Sequence, residues 1–108
     1  MKIITLLLFL LLSLTARAQN PGTVAGTVRD RATQELLPGV SITLEGTGFG
    51  TATDAEGRYR LPGVPAGAYN LRASFVGYDA LLRADVAVSS GNVNTLNLEI
   101  NRDRKSVV

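Results

Sequence analysis

Cysteine, histidine and tryptophan are absent from this 108-residue sequence. Without the first two there is no imidazole or thiolate ligand for zinc, no Ser-His-Asp or Cys-His catalysis and no disulfide. Lysine occurs only as Lys2 and Lys105, so no lysine sits in the body of the chain to act as base or nucleophile. Beyond the first twenty residues the aromatics are Phe49, Phe75, Tyr59, Tyr69 and Tyr78, a poor supply for a stacking platform. A long apolar run is also missing, except at the start. A catalytic site would have to be built from carboxylates and arginines, and the fold has to be held by an apolar core without covalent cross-links.

The start has the three parts of an export signal. Met1-Lys2 carries positive charge, residues 3–14 are apolar apart from Thr5 and Ser13, and Ala16-Arg17-Ala18 fits the small-x-small cleavage rule. Residues 1–18 are therefore expected to be removed between Ala18 and Gln19. The run is too short for a membrane span, which needs about 20 apolar residues, and no cysteine follows it to take a lipid anchor. Removal takes Lys2 and Arg17 with it and leaves nine basic and nine acidic residues. The net charge of +2 thus comes from the leader, and no basic stripe remains for nucleic acid. What is left fits one small domain, able to bury about 60–65% of its unfolded surface.

Residues 50–78 organise the rest. Thr51 and Thr53, then Tyr59 and Leu61, then Tyr69, Leu71, Ala73 and Phe75 recur at every second position, as in half-buried strands. Gly57, Gly63, Gly67 and Gly77, with Pro62 and Pro65, punctuate them as turn residues. The same alternation over 22–29, 40–45 and 93–100, a less regular run over 81–88 that carries Val86 and Val88, and the runs 49–53, 58–61 and 68–75 give seven short strands. The expectation is an all-β, antiparallel Greek-key sandwich over 19–100, followed by a charged tail at 101–108.

The candidate constellations are modest. Asp54 and Glu56 form the best carboxylate pair, but the spacing of a calcium loop is missing, and Asp54-x-x-Gly57 reads as a hairpin turn. Gly46-Thr47-Gly48-Phe49-Gly50 lacks both the Lys-Ser/Thr and the following helix of a phosphate loop, and reads as a strand connection. Arg58, Arg60 and Arg72 are placed together on one outer sheet face. Tyr69 is in phase with Leu71 and Phe75 and is expected inside, while Tyr78 and Phe49 are candidate binding aromatics. No nucleophile–base pair can be assembled, and no metal or cofactor is implied.

Five segments in order then form a pattern: Gly26-x-Val28-x-Asp30; Leu37-Pro38-Gly39-Val40-x-Ile42; Gly50-Thr51-x-Thr53-Asp54-x-x-Gly57-x-Tyr59-x-Leu61; Ala66-Gly67-x-Tyr69-x-Leu71; and Phe75-Val76-Gly77-Tyr78. Together they resemble the carboxypeptidase regulatory-like domain over residues 22–100. The resemblance implies a transthyretin-like seven-stranded β-sandwich without catalytic residues, in which the matched positions are structural. It also implies a context. Such a domain behind a signal peptide is similar to the N-terminal extension of starch-utilisation-type TonB-dependent outer-membrane receptors, where it lies in the periplasm ahead of a plug and a barrel. Ser106-Val107-Val108 then resembles the beginning of a TonB box, a segment that pairs with TonB as an added strand. A surface glycan-binding lipoprotein is a further partner implied by that context. The other contexts are a free-standing carbohydrate- or protein-binding module and an accessory domain of a secreted carboxypeptidase.

Overall fold

The computed structural model describes residues 20–103. The signal segment 1–18, its expected cleavage point at Ala18 and Gln19, and the tail residues Ser106, Val107 and Val108 lie outside the described residues.

The described chain is all-β. Its strands are β1 Gly22–Asp30, β2 Ser41–Leu44, β3 Gly50–Ala52, β4 Arg58–Val64, β5 Gly67–Ser74, β6 Leu81–Val88, β7 Val93–Thr95 and β8 Leu98–Ile100. One sheet has β1 at its centre, with β4 on one side and β7 then β8 along the other; the second runs β3-β2-β5-β6. Alternation places one row of β1, β2, β4, β5 and β8 between the sheets. Val24 and Val28, Tyr59, Leu61 and Val64, and Leu98 and Ile100 face Val40, Ile42, Leu44, Leu71, Ala73 and Val88 across the interior, all nearly or wholly buried. This is the expected β-sandwich, and its core is aliphatic except for Tyr59.

Three details differ from the sequence expectation. The seventh strand is broken at Leu96-Asn97 into β7 and β8, and both run parallel to β1, so the sandwich is not wholly antiparallel. The Asp54–Gly57 turn does not join a hairpin. It carries the chain from β3, paired with β2, to β4, paired with β1 in the other sheet. Local turn chemistry signals the reversal but not which partner each strand then takes. For the same reason Arg58 and Arg60 do not share a face with Arg72. β4 and β5 lie in different sheets, so their outward residues point away from opposite sides of the sandwich.

Three edge strands carry features that disfavour further pairing. Both backbone groups of Arg58 on β4 are taken by Asp54, whose Oδ1 accepts the Arg58 N–H at 2.9 Å and whose N–H donates to the Arg58 carbonyl at 2.8 Å. Two residues beyond Arg60, Pro62 has no N–H to offer. β6 is bulged at Asp85, which has a φ of 56°, and Asn70 Oδ1 accepts its N–H at 3.3 Å. β3 is only three residues long.

Candidate functional site

The motif residues converge on four internal locks. Gly26 sits on β1 opposite Tyr59 of β4. A Cβ added there would come within 2.0 Å of the Leu96 carbonyl oxygen. The missing side chain lets the β7–β8 break approach β1. The Tyr59 hydroxyl donates to that carbonyl at 2.5 Å, and Asn97 Oδ1 accepts the Thr27 N–H at 3.1 Å, standing in for a backbone acceptor where the ladder is interrupted. Burial pushes the Tyr59 phenol up to about 12 against an opposing pull from Arg83.

Thr53 is a second lock. Its buried Oγ1 donates to the Leu37 carbonyl at 2.6 Å and accepts the Val40 N–H at 2.9 Å. It thereby clamps the Leu37-Pro38-Gly39-Val40 turn, in which Gly39 has a φ of 78°. In the third, Asp54 Oδ1 accepts the N–H groups of Glu56 and Arg58, and Gly57 closes the turn at a φ of 72° under Leu36 and Leu37. The carboxylate is therefore engaged by backbone. Among the described residues no three Asp or Glu side chains come together to hold a metal ion. Tyr69 is half-buried against the core, beside Gly67, and its hydroxyl donates to the Pro65 carbonyl at 2.6 Å.

The fourth lock is built on a buried carboxylate. Asp30 ends the inward row of β1 and is 2% exposed. Its Oδ1 accepts the N–H groups of Ala32 and Thr33 at 2.8 and 3.1 Å, and its Oδ2 accepts the Tyr78 hydroxyl at 2.6 Å. Arg102 lies 3.6 Å from Oδ2 and 5.7 Å from the centre of the Tyr78 ring, which in turn leans on Phe75. The Tyr78 hydrogen bond, with the backbone donors and Arg102, holds the Asp30 carboxyl below its usual value of 3.8. Behind Tyr78, the Gly77 carbonyl accepts the Asp103 N–H and the Asn101 carbonyl accepts the Asp79 N–H, both at 2.8 Å. The chain leaving β8 is thus tied to the turn before β6. Tyr78, offered by the sequence as a binding aromatic, is turned into this clasp. Phe49 packs partly buried against the core.

Next to the clasp a cavity of about 180 Å³ opens between β6 and β8, bordered by Arg31, Asp79, Arg83, Asn97 and Glu99. Sequence reading did not find it, nor Arg102 as part of the clasp. Its residues come from three separate segments, and none belongs to a spaced motif.

Among curated proteins no significant relative is found. Solved structures give the fold. A chain of a type II cohesin–X-dockerin complex from Acetivibrio cellulolyticus is 23% identical, with a TM-score of 0.62 over 71% of this chain and 52% of its own. A protein from Bacteroides uniformis, assigned provisionally as carbohydrate-binding, is 20% identical, with a TM-score of 0.59 over 75% and 41%. The group B streptococcus pilus 2b backbone protein is 18% identical, with a TM-score of 0.59 over 82% and 43%. This chain spans about half or less of each. The model of the carboxypeptidase regulatory-like domain matches residues 23–101, from the start of β1 to the clasp, and the chain belongs to that family.

Proposed function

We propose that this chain is an exported, non-catalytic interaction domain that serves as the periplasmic N-terminal extension of a TonB-dependent outer-membrane receptor for glycan or nutrient uptake. The observation that carries the non-catalytic part is the use of its carboxylates. Asp54 is bonded to backbone and Asp30 to the clasp, so the two best-placed acids serve the scaffold. The receptor part is supported by the order of segments: a leader-like run, the sandwich, then a charged stretch ending in Ser106-Val107-Val108. In this reading a plug and a barrel follow in cis, TonB pairs with the valine-containing stretch, and a surface glycan-binding lipoprotein completes the assembly.

An antibody raised against residues 22–100 tests it on blots of outer-membrane and periplasmic fractions. A band much larger than 108 residues in the outer membrane is the expected result. A soluble band of the mature size overturns the receptor reading.

The second reading is a glycan-binding module acting on its own or within a larger chain. The cavity beside the clasp favours it, as does the fold shared with the Bacteroides uniformis protein.

A further inference from the structure

We infer that the cavity between β6 and β8 is a subsite for one neutral sugar ring; this rests on the glycan-binding reading and not on the receptor reading. At about 180 Å³ it is smaller than the roughly 300–1,000 Å³ usual for small-molecule sites, which limits it to a single ring or the end of a chain.

Its chemistry is balanced. Arg31 and Arg83 supply donors, Asp79 and Glu99 supply acceptors, and among the described residues no ion pair joins any of the four. Two cations and two carboxylates leave no net charge to select an ionic ligand. A sugar hydroxyl, which donates and accepts at once, can satisfy both kinds of group. Two of the lining side chains are already held from behind. Asn97 Oδ1 is occupied by the Thr27 backbone N–H and hydroxyl, which leaves its amide N–H₂ for a ligand. Glu99 accepts from Gln34 through Oε2, which leaves Oε1. Leu81, half-buried at the wall, offers an apolar contact for C–H groups.

The clasp fixes the rest. Arg31 follows Asp30, Asp79 follows Tyr78, and Asn101 precedes Arg102, so each clasp residue sets the backbone of one cavity residue. The Arg31 N–H donates to the Ile100 carbonyl at 3.0 Å and the Asp79 N–H to the Asn101 carbonyl at 2.8 Å, which ties the rim together. Preorganisation of this kind lowers the ordering cost of binding. The Asp30–Tyr78 pair, structural in itself, thereby acquires a role in shaping a site.

The test is a nuclear magnetic resonance titration of the exported chain with glucose, galactose, mannose, maltose and cellobiose, with glucuronate and glucosamine as charged comparisons. A neutral sugar is expected to move the Asn97 side-chain amide and the Arg83 and Leu81 signals. Arg83→Ala is expected to weaken binding about tenfold, as for one charge-assisted hydrogen bond, while Arg72→Ala on the far face leaves it unchanged. Circular dichroism establishes that both variants fold. Arg31→Ala serves in place of Arg83→Ala if that variant does not. Binding that moves other residues and is indifferent to Arg83→Ala overturns the subsite and leaves the glycan-binding reading standing. Binding of glucuronate or glucosamine alone overturns the neutral-ring assignment. No response to any sugar overturns both.

Discussion

Gly26 lies directly opposite Tyr59 in the β1–β4 ladder, and the Tyr59 hydroxyl reaches the Leu96 carbonyl that any side chain at residue 26 would strike. The glycine and the tyrosine are thus two halves of one joint, which lets a broken strand lie against β1. Gly26→Ala should therefore destabilise the chain by about 3 kcal/mol or more, since backbone and not a flexible side chain must move. Urea denaturation measures the loss, and amide exchange should show it first at Leu98–Ile100.

Tyr59 gives the joint a pH signature. With the phenol raised from 10 to about 12 by burial, the folded state keeps a proton that the unfolded chain releases. Stability is complete below pH 10 and falls as pH rises from 10 toward 12. Tyr59→Phe should remove that fall, and should cost about 1–3 kcal/mol at neutral pH because the Leu96 carbonyl loses its donor. Melting temperatures of both proteins between pH 8 and pH 12 test the prediction.

The Asp30–Tyr78 clasp acts at the other end of the scale. A carboxyl held below 3.8 in the folded state contributes stability that is present above that value and is lost as pH falls through the depressed folded value. Wild type should lose melting temperature on acidification below pH 4, and Asp30→Asn should lose less of it, from a lower starting point. Tyr78→Phe should resemble Asp30→Asn in this respect. Parallel acid curves for wild type and both variants would contradict the assignment.

Thr53→Val preserves shape but leaves the Leu37 carbonyl and the Val40 N–H without their buried partner. A cost of about 1–3 kcal/mol per orphaned group is expected. Thr53→Ser keeps the hydroxyl and should recover most of it. The comparison of the two in urea separates the hydrogen bonds from packing.

The core was legible in the sequence because period 2 reports burial directly: Leu71 and Ala73, Ile42 and Leu44, and Leu98 and Ile100 all point inward as their alternation requires. Turn positions were legible at Asp54 and Gly57, whose chemistry is local. Partnering was not. The separation of β3, β4 and β5 between two sheets, and with it the placing of Arg72 away from Arg58, depends on contacts distant in the chain. The break at Leu96-Asn97 was hidden for the same reason: Leu96, Leu98 and Ile100 keep alternating through it. The clasp joins Asp30, Tyr78 and Arg102, residues 48 and 24 apart, and the cavity beside it draws on three segments, so neither has a spacing to detect.

The parallel pairing of β1 with β7 and β8 has a mechanical consequence. The chain enters at Gly22, the beginning of β1, and leaves past Ile100, the end of β8, and these two strands lie side by side pointing the same way. A pull on the two ends therefore drags neighbouring strands lengthwise in opposite directions. The bonds at Ala25, Thr27 and along Val28–Asp30 are loaded together instead of being opened one after another from an end. The domain is braced along the axis in which a tether through it would transmit tension, and the Gly26–Tyr59 joint sits at the middle of that brace.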